Sequence, residues 1–406
     1  MRYVILVLVI SVVSLSNIYA EVSGSKVDVN DIVKDISLIL SDDEKDNLII
    51  SSHEEEEIYS LSGDLIFFAR DKSGILKKVV KVYISSNRDG DYYWEQYGIE
   101  FLDKIALKLG LNSIQKLNSK KGEKYNILVM SVADGKPFMS FIEQVSREVG
   151  PSRIAAFNEL KILTEEVGKS YAKLNFYTQK KIENLRDNYQ LGKVLTIFER
   201  IKEKFRVNQK ILPKLDLVKL ENCMTTAVVD FRSNPGSFGY THSDAQPNNV
   251  FINSQTKKVT FIDLSEIYKC LDKNKQVRGI PAYEIFQFLS SLNFWQENIY
   301  KMIQERSSSN ILSNENENFL TIGEKQQVEK QFLKGCFGYI QDNKLTGPTL
   351  ESLNLFKFYW SLRELEWNLN EIKIDENNTH ILENIDRLQD EVNDQMTQLK
   401  EKDAHS

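Results

Sequence analysis

Short runs with apolar residues at every second position fill much of the chain between residues 58 and 130, and apolar residues at helical spacing dominate beyond it. The first pattern predicts strands and the second amphipathic helices. Residues 58–63 and 65–69, then 79–83 after a turn at 71–74, read as a hairpin with a following strand. Residues 92–109 carry a helical pattern that Gly110 stops, and 125–130 (Tyr-Asn-Ile-Leu-Val-Met) read as a buried strand closed by Ala133-Asp134-Gly135-Lys136. Later β signals are confined to the neighbourhoods of Asn249 and Asp263. A small sheet with one helix, a short connector and a large helical region predict a bilobal α+β protein.

Ahead of the sheet, Met-Arg-Tyr precedes an apolar run over residues 4–15 and the small residue Ala20. That run is short for a membrane span, and its flanks predict a secretory signal peptide over residues 1–20. An uncleaved signal anchor is the competing reading, because Ile18 suits the cleavage site poorly. The expected location is therefore outside the cell or in the secretory pathway, with no span after cleavage. Residues 21–57 form a polar leader with an amphipathic helix over 32–40. Residues 306–318, rich in Ser, Asn and Glu, read as a surface insertion. At the C-terminus, Ile385, Leu388, Val392, Met396 and Leu399 share one helical face. This face allows a short coiled coil, and so an oligomer, but packing on its own domain is favoured because the repeat is brief.

The 406 residues are enough for two lobes, and 41% hydrophobic with 27% charged residues is ordinary for a globular protein. A net charge of -6 weighs against nucleic acid as a partner. Cys223, Cys270 and Cys336 lie far apart with no C-x-x-C, so they read as buried small hydrophobes. The sequon at Asn377-Asn378-Thr379 is a short pattern that chance supplies often.

The stretch with most chemical content runs Y-T-H-S-D-A-Q-P-N-N-V-F-I-N from Tyr240, followed after a polar turn by V-T-F-I-D-L-S-E. The H-x-D-x-x-x-x-N order followed by an apolar strand ending in Asp is the spacing by which kinases orient a hydroxyl and hold magnesium on ATP. Asp244 is the candidate base. Asn249 and Asp263 are the candidate metal ligands, whose oxygen donors suit Mg2+ or Mn2+. His242 is expected to brace the loop. Lys81, alternating inward in V-V-K-V-Y, is the candidate for the α- and β-phosphates, since burying a lysine is costly unless an anion meets it. Glu100 is its expected partner on the following helix, with Glu95 second. Gly63 would mark a phosphate-covering loop, and Met130 and Val132 would offer backbone groups to adenine.

These motifs resemble the aminoglycoside phosphotransferase and choline kinase branch of the protein-kinase-like superfamily. The likeness covers roughly residues 58–300. Weaker matches are E-V-G-K-S-Y-A-K-L-N, ending in Leu174-Asn175 where Leu-His is usual, and G-I-P-A-Y-E-I-F-Q-F-L, with Glu284 where Asp is usual. Ser243 stands where a Gly commonly follows the His. The resemblance implies a protein-kinase-like fold, with a nucleotide-binding lobe over 58–134, a helical lobe carrying the catalytic loop over 135–372, and a terminal helix and tail over 373–406. It implies an ATP- and Mg2+-dependent phosphotransferase acting on a hydroxyl of a small molecule, aminoglycoside-, choline- or sugar-like. A secreted kinase acting on protein and an inactive kinase-shaped binding protein are the alternatives, and a helical adhesion protein is a third. The absence of H-R-D, D-F-G and A-P-E points away from an ordinary protein kinase. Phe294, Trp295, Tyr359, Trp360 and Trp367 read as core ahead of a cationic head-group pocket.

Overall fold

The computed structural model describes residues 29–40, 48–52, 65–84, 89–177, 179–182, 184–185, 188–272, 274–306, 320–372 and 379–403. The signal peptide, the acidic run 53–57, the strand expected at 58–63, Gly63 and its loop, residues 307–318 and the sequon asparagines lie outside the described residues. The fold is α+β, with a small antiparallel sheet and helices over most of the rest. Among the described residues no helix is long and apolar enough to cross a membrane.

The chain divides into two compact units. The first takes Met1–Val167, Pro247–Tyr268 and Ile299–Thr321, and the second Gly168–Gln246, Lys269–Asn298 and Ile322–Ser406.

In the first unit, β1 (Ile49–Ser52), β2 (Leu65–Arg70), β3 (Leu76–Ile84), β4 (Lys116–Lys121) and β5 (Tyr125–Ser131) make one antiparallel sheet in the order β1-β2-β3-β5-β4. Central strand β3 pairs Lys81 with Ile66 on one side and with Leu128 on the other. Its side chains alternate across the sheet, so Val80 and Val82 share a face with Phe67, Ile127 and Val129. Helix α1 (Val29–Ile39) covers that face with Ile32 and Ile36, joined by Leu40. The leader is therefore more than a polar extension: it supplies both the edge strand β1 and half of this core. Strand β4, K-L-N-S-K-K, has almost no apolar signal and is held by pairing with β5 and by Lys120 on Asp35 at 2.9 Å.

The opposite face of β3 presents Lys81 and Tyr83 to α2 (Asp89–Leu109), which ends at Gly110 with φ 63°. Helix α2 buries Tyr92, Glu95, Ile99, Leu102, Ile105 and Ala106. These residues recur at intervals of one helical turn and form one stripe.

After β5, the two-residue β6 (Lys136–Pro137) pairs with β9 (Val250–Ile252), which makes a hairpin with β10 (Val259–Phe261). Gly135, at φ 96°, lets the connector press against β9: a Cβ there would lie 2.3 Å from the Ile252 carbonyl. Helix α3 (Phe138–Arg147) follows, then α4 (Gly150–Asn175), whose last turns belong to the second unit.

The second unit adds the short pair β7 (Lys180–Lys181) and β8 (Ser237–Phe238), and the helices α5 (Tyr189–Val207), α6 (Leu217–Ser233), α7 (Pro281–Arg306, whose residues from Ile299 on belong to the first unit), α8 (Ile322–Asp342), α9 (Leu350–Ile372) and α10 (Thr379–Asp403). Asn188 and Asp216 cap α5 and α6, each accepting a backbone N–H from the first turn. The apolar face of α10 is buried in this core, with Ile385, Leu388, Val392, Met396 and Leu399 among residues of α6 and α9. Tyr359, Trp360 and the partly buried Trp367 belong to the same core. The three cysteines are buried free thiols.

Candidate active site

In the first unit the site is built on β3, α2 and the segment after β10. Lys81 is 7% exposed, and its Nζ donates to Glu95 Oε2 at 2.9 Å and to Asp263 Oδ1 at 2.7 Å. The Tyr83 hydroxyl donates to the same Glu95 oxygen at 2.9 Å, and the Leu264 backbone N–H donates to Glu95 Oε1 at 3.3 Å. The ammonium also sits 5.2 Å from the centre of the Tyr83 ring. Burial pushes the Glu95 carboxyl up, Lys81 pulls it back down, and Asp263 raises it. Burial, then the Glu95 charge, lifts the Tyr83 hydroxyl well above its ordinary range, which keeps it a donor.

The partner of Lys81 is thus Glu95, which corrects the expectation of Glu100. Glu100 stands five residues on, about 140° round the helix from Glu95. It pairs with Lys116 instead, with a side chain 48% exposed. The missed signal was the stripe itself: Glu95 interrupts the run Tyr92, Ile99, Leu102 at an inward position, and an acid placed there needs a buried cation.

Asp263 follows β10 in a left-handed conformation, φ 55°, and its side chain is 35% exposed. Asn249, 8% exposed, precedes β9, and its backbone carbonyl accepts the Ile262 N–H at 3.0 Å. The two candidate metal ligands therefore flank the open end of one hairpin. Gly98, one turn beyond Glu95, lets α2 lie directly on the segment after Asp263: a Cβ there would be 2.6 Å from Leu264 Cβ and 2.8 Å from its carbonyl oxygen. Trp94 stacks on Tyr268 further along, at 5.4 Å. Met130 lies one residue before the end of β5, paired with Val79 and Lys116, and the half-buried Val132 lies beyond the ladder.

The second unit holds Asp244 and its supports. Ser243, φ 68°, turns the chain sharply between His242 and Asp244. The Asp244 N–H donates to His242 Nδ1 at 3.3 Å, and Gln246 Nε2 donates to Asp244 Oδ1 at 2.7 Å. His242 is fully buried, with that ring nitrogen used as an acceptor. Beneath the turn, Glu284 of α7 accepts the backbone N–H groups of His242 and Ser243, the latter at 3.1 Å, and the side-chain amide of Asn175. Asn175 also donates to the Tyr240 carbonyl at 2.7 Å. Burial pushes the Glu284 carboxyl up to about 8 against the pull of these donors.

The donor set suits a hard divalent cation. Asp263 and Glu95 against Lys81 leave one net negative charge, and Asn249 and Asp263 bring carboxamide and carboxylate oxygens. Among the described residues no group of three His, Cys, Asp or Glu side chains forms a closed metal cage.

No protein-family model matches the sequence, and no curated protein matches it. Among solved structures the chain is similar to a glucosamine kinase at 9% sequence identity, over 84% of this chain and 79% of that one, with a TM-score of 0.47. The functional reading rests on the side chains of the site.

Proposed function

We propose that this protein is an ATP- and Mg2+-dependent phosphotransferase whose acceptor is a hydroxyl of a small molecule. The observation that carries the reading is the buried Lys81 bridging Glu95 and Asp263. A lysine on a central strand paired with a helical glutamate, beside an aspartate able to hold metal, is the arrangement by which protein kinases place the lysine that contacts ATP phosphates. Lys81 would contact the α- and β-phosphates, positioned by Glu95. Asn249 and Asp263 would hold Mg2+, which supplies charge neutralisation on the phosphates when bound. Asp244 would accept the acceptor's hydrogen bond and take its proton as the γ-phosphoryl group passes to the hydroxyl oxygen, with its bond to the bridging oxygen breaking and ADP leaving. Met130 and Val132 would face adenine. The N-terminal segment supports a secreted or secretory-pathway location.

The test is transfer of labelled phosphate from ATP across a panel of hydroxyl acceptors, with Asp244→Ala as the blank, beside thermal unfolding with Mg-ATP. Incorporation that vanishes in Asp244→Ala and Mg-ATP stabilisation that vanishes in Asp263→Ala are expected. Indifference of the wild-type protein to nucleotide would make it a non-catalytic binding protein instead.

A further inference from the structure

The second unit carries a cationic cluster that the phosphotransferase reading leaves unused. Helix α5 is pinned beside the loop that bears Asp244: Gln190 Nε2 donates to Thr241 Oγ1 at 3.2 Å while its Oε1 accepts the Ile280 N–H at 2.6 Å. From there, Lys193, Arg200 and Lys204 follow along one face of α5, at separations of seven and four residues. Arg363 and Glu366 of α9 meet that face. Glu366 takes Arg200 through Nε at 2.9 Å and Nη2 at 3.0 Å, Lys204 at 3.5 Å, and Arg363. One carboxylate thus serves three cations.

Two features of the cluster favour an anion. Arg363 Nε is buried without a hydrogen-bond partner, although the guanidinium is otherwise fixed, stacked on the Trp367 ring at 5.0 Å. Lys193, half-buried, lies in the field of Arg363, Arg200 and Asp244; burial and the two guanidinium groups disfavour its charge, and Asp244 favours it. A buried N–H without an acceptor and an ammonium set among cations both cost free energy that an incoming anion relieves. Lys193 follows Gln190 by about one helical turn, and Gln190 holds Thr241, three residues ahead of Asp244, against which an acceptor's reactive hydroxyl would lie.

We infer that the acceptor carries, besides its reacting hydroxyl, an oxyanion (a phosphate or a carboxylate) that Lys193 and Arg363 hold. This rests on the phosphotransferase reading for the word acceptor, while the anion site itself can be tested alone. Purely cationic acceptors of the choline type are then poor ligands.

The experiment is thermal unfolding of the full chain with inorganic phosphate, acetate or choline at matched ionic strength. Wild-type protein, Lys193→Met, Lys81→Met and the surface control Lys77→Met are compared. Phosphate or acetate is expected to raise Tm at millimolar concentration where choline does not. The apparent affinity should fall about tenfold or more in Lys193→Met, the loss of one charge-assisted contact, and persist in Lys81→Met and Lys77→Met. Oxyanions no better than choline, or a shift retained in Lys193→Met, overturn the inference. A shift abolished by Lys81→Met also overturns it, by assigning the anion to the nucleotide site. Stabilisation of the wild type by Mg-ATP is scored separately, so the nucleotide reading stands or falls on its own arm.

Discussion

Lys81 Nζ donates to Asp263 Oδ1 at 2.7 Å across a separation of 182 residues. The same ammonium reaches Glu95, so removing either acid has a different consequence. Glu95→Gln should leave the sheet folded, since the amide still accepts from Lys81, but weaken the hold on its position. Mg-ATP affinity is expected to drop by roughly tenfold, the worth of one charge-assisted hydrogen bond. Glu100→Gln, on the exposed side of α2, should leave affinity within about twofold. Titration of both variants with nucleotide checks this; equal losses would remove Glu95 from its positioning role.

Gly98 argues for a second effect of the same packing. An alanine in the middle of α2 should gain about 1 kcal/mol from helix propensity alone. Here its Cβ would fall 2.8 Å from the Leu264 carbonyl oxygen, so helix or loop must move. Overpacking of this kind costs roughly 1–3 kcal/mol and displaces the residue next to Asp263. Gly98→Ala is therefore expected to lower stability and to weaken Mg-ATP binding together. Urea unfolding that showed a gain with binding intact would mean the loop yields freely.

What the sequence disclosed follows from how local each signal is. The inward lysine of β3, the helix stopped by Gly110 and the Asn249-to-Asp263 hairpin all have their information within a dozen or so residues, and periodicity reads such segments well. Strand β4 escaped because K-L-N-S-K-K takes its conformation from β5, and the sheet-covering role of α1 escaped because an amphipathic helix does not name its partner. Glu95 and Glu100 stand on different faces of α2, and the apolar stripe of that helix marks Glu95 as the inward one. The cationic cluster on α5 and α9 was invisible, since Lys193 and Arg363 lie far apart in the chain.

Ser243 occupies a conformation that costs a side chain energy. At φ 68° its Cβ is crowded by the following carbonyl, while its Oγ recovers part of the loss through Thr241 Oγ1 at 2.9 Å. Ser243→Gly should fall within about 1 kcal/mol of wild type, trading strain against that hydrogen bond. Ser243→Thr keeps the hydroxyl yet adds a β-branch where left-handed backbone tolerates it least, and should be roughly 2 kcal/mol less stable than the glycine variant. Chemical unfolding ranks the two, and a threonine variant as stable as the glycine one would refute strain at this turn.

Glu284 ties the fold of the second unit to pH. Its folded carboxyl is raised from an ordinary 4.5 to about 8, with burial the largest cause. The native state therefore binds the proton more tightly than the unfolded chain does. The resulting stabilisation is complete below about pH 4.5 and is lost as pH rises through 8. Between those limits this one group should lower stability by up to about 1.4 kcal/mol per pH unit. Above pH 8 the charged carboxylate remains held by the His242 and Ser243 N–H groups, so the slope should flatten and no further loss should follow. Glu284→Gln keeps an acceptor for those two donors but cannot titrate, so its unfolding free energy should lack this component. The measurement is urea unfolding of both proteins from pH 5.5 to 9; parallel pH profiles would show that Glu284 is already ionised at neutral pH and that the three donors around it outweigh its burial.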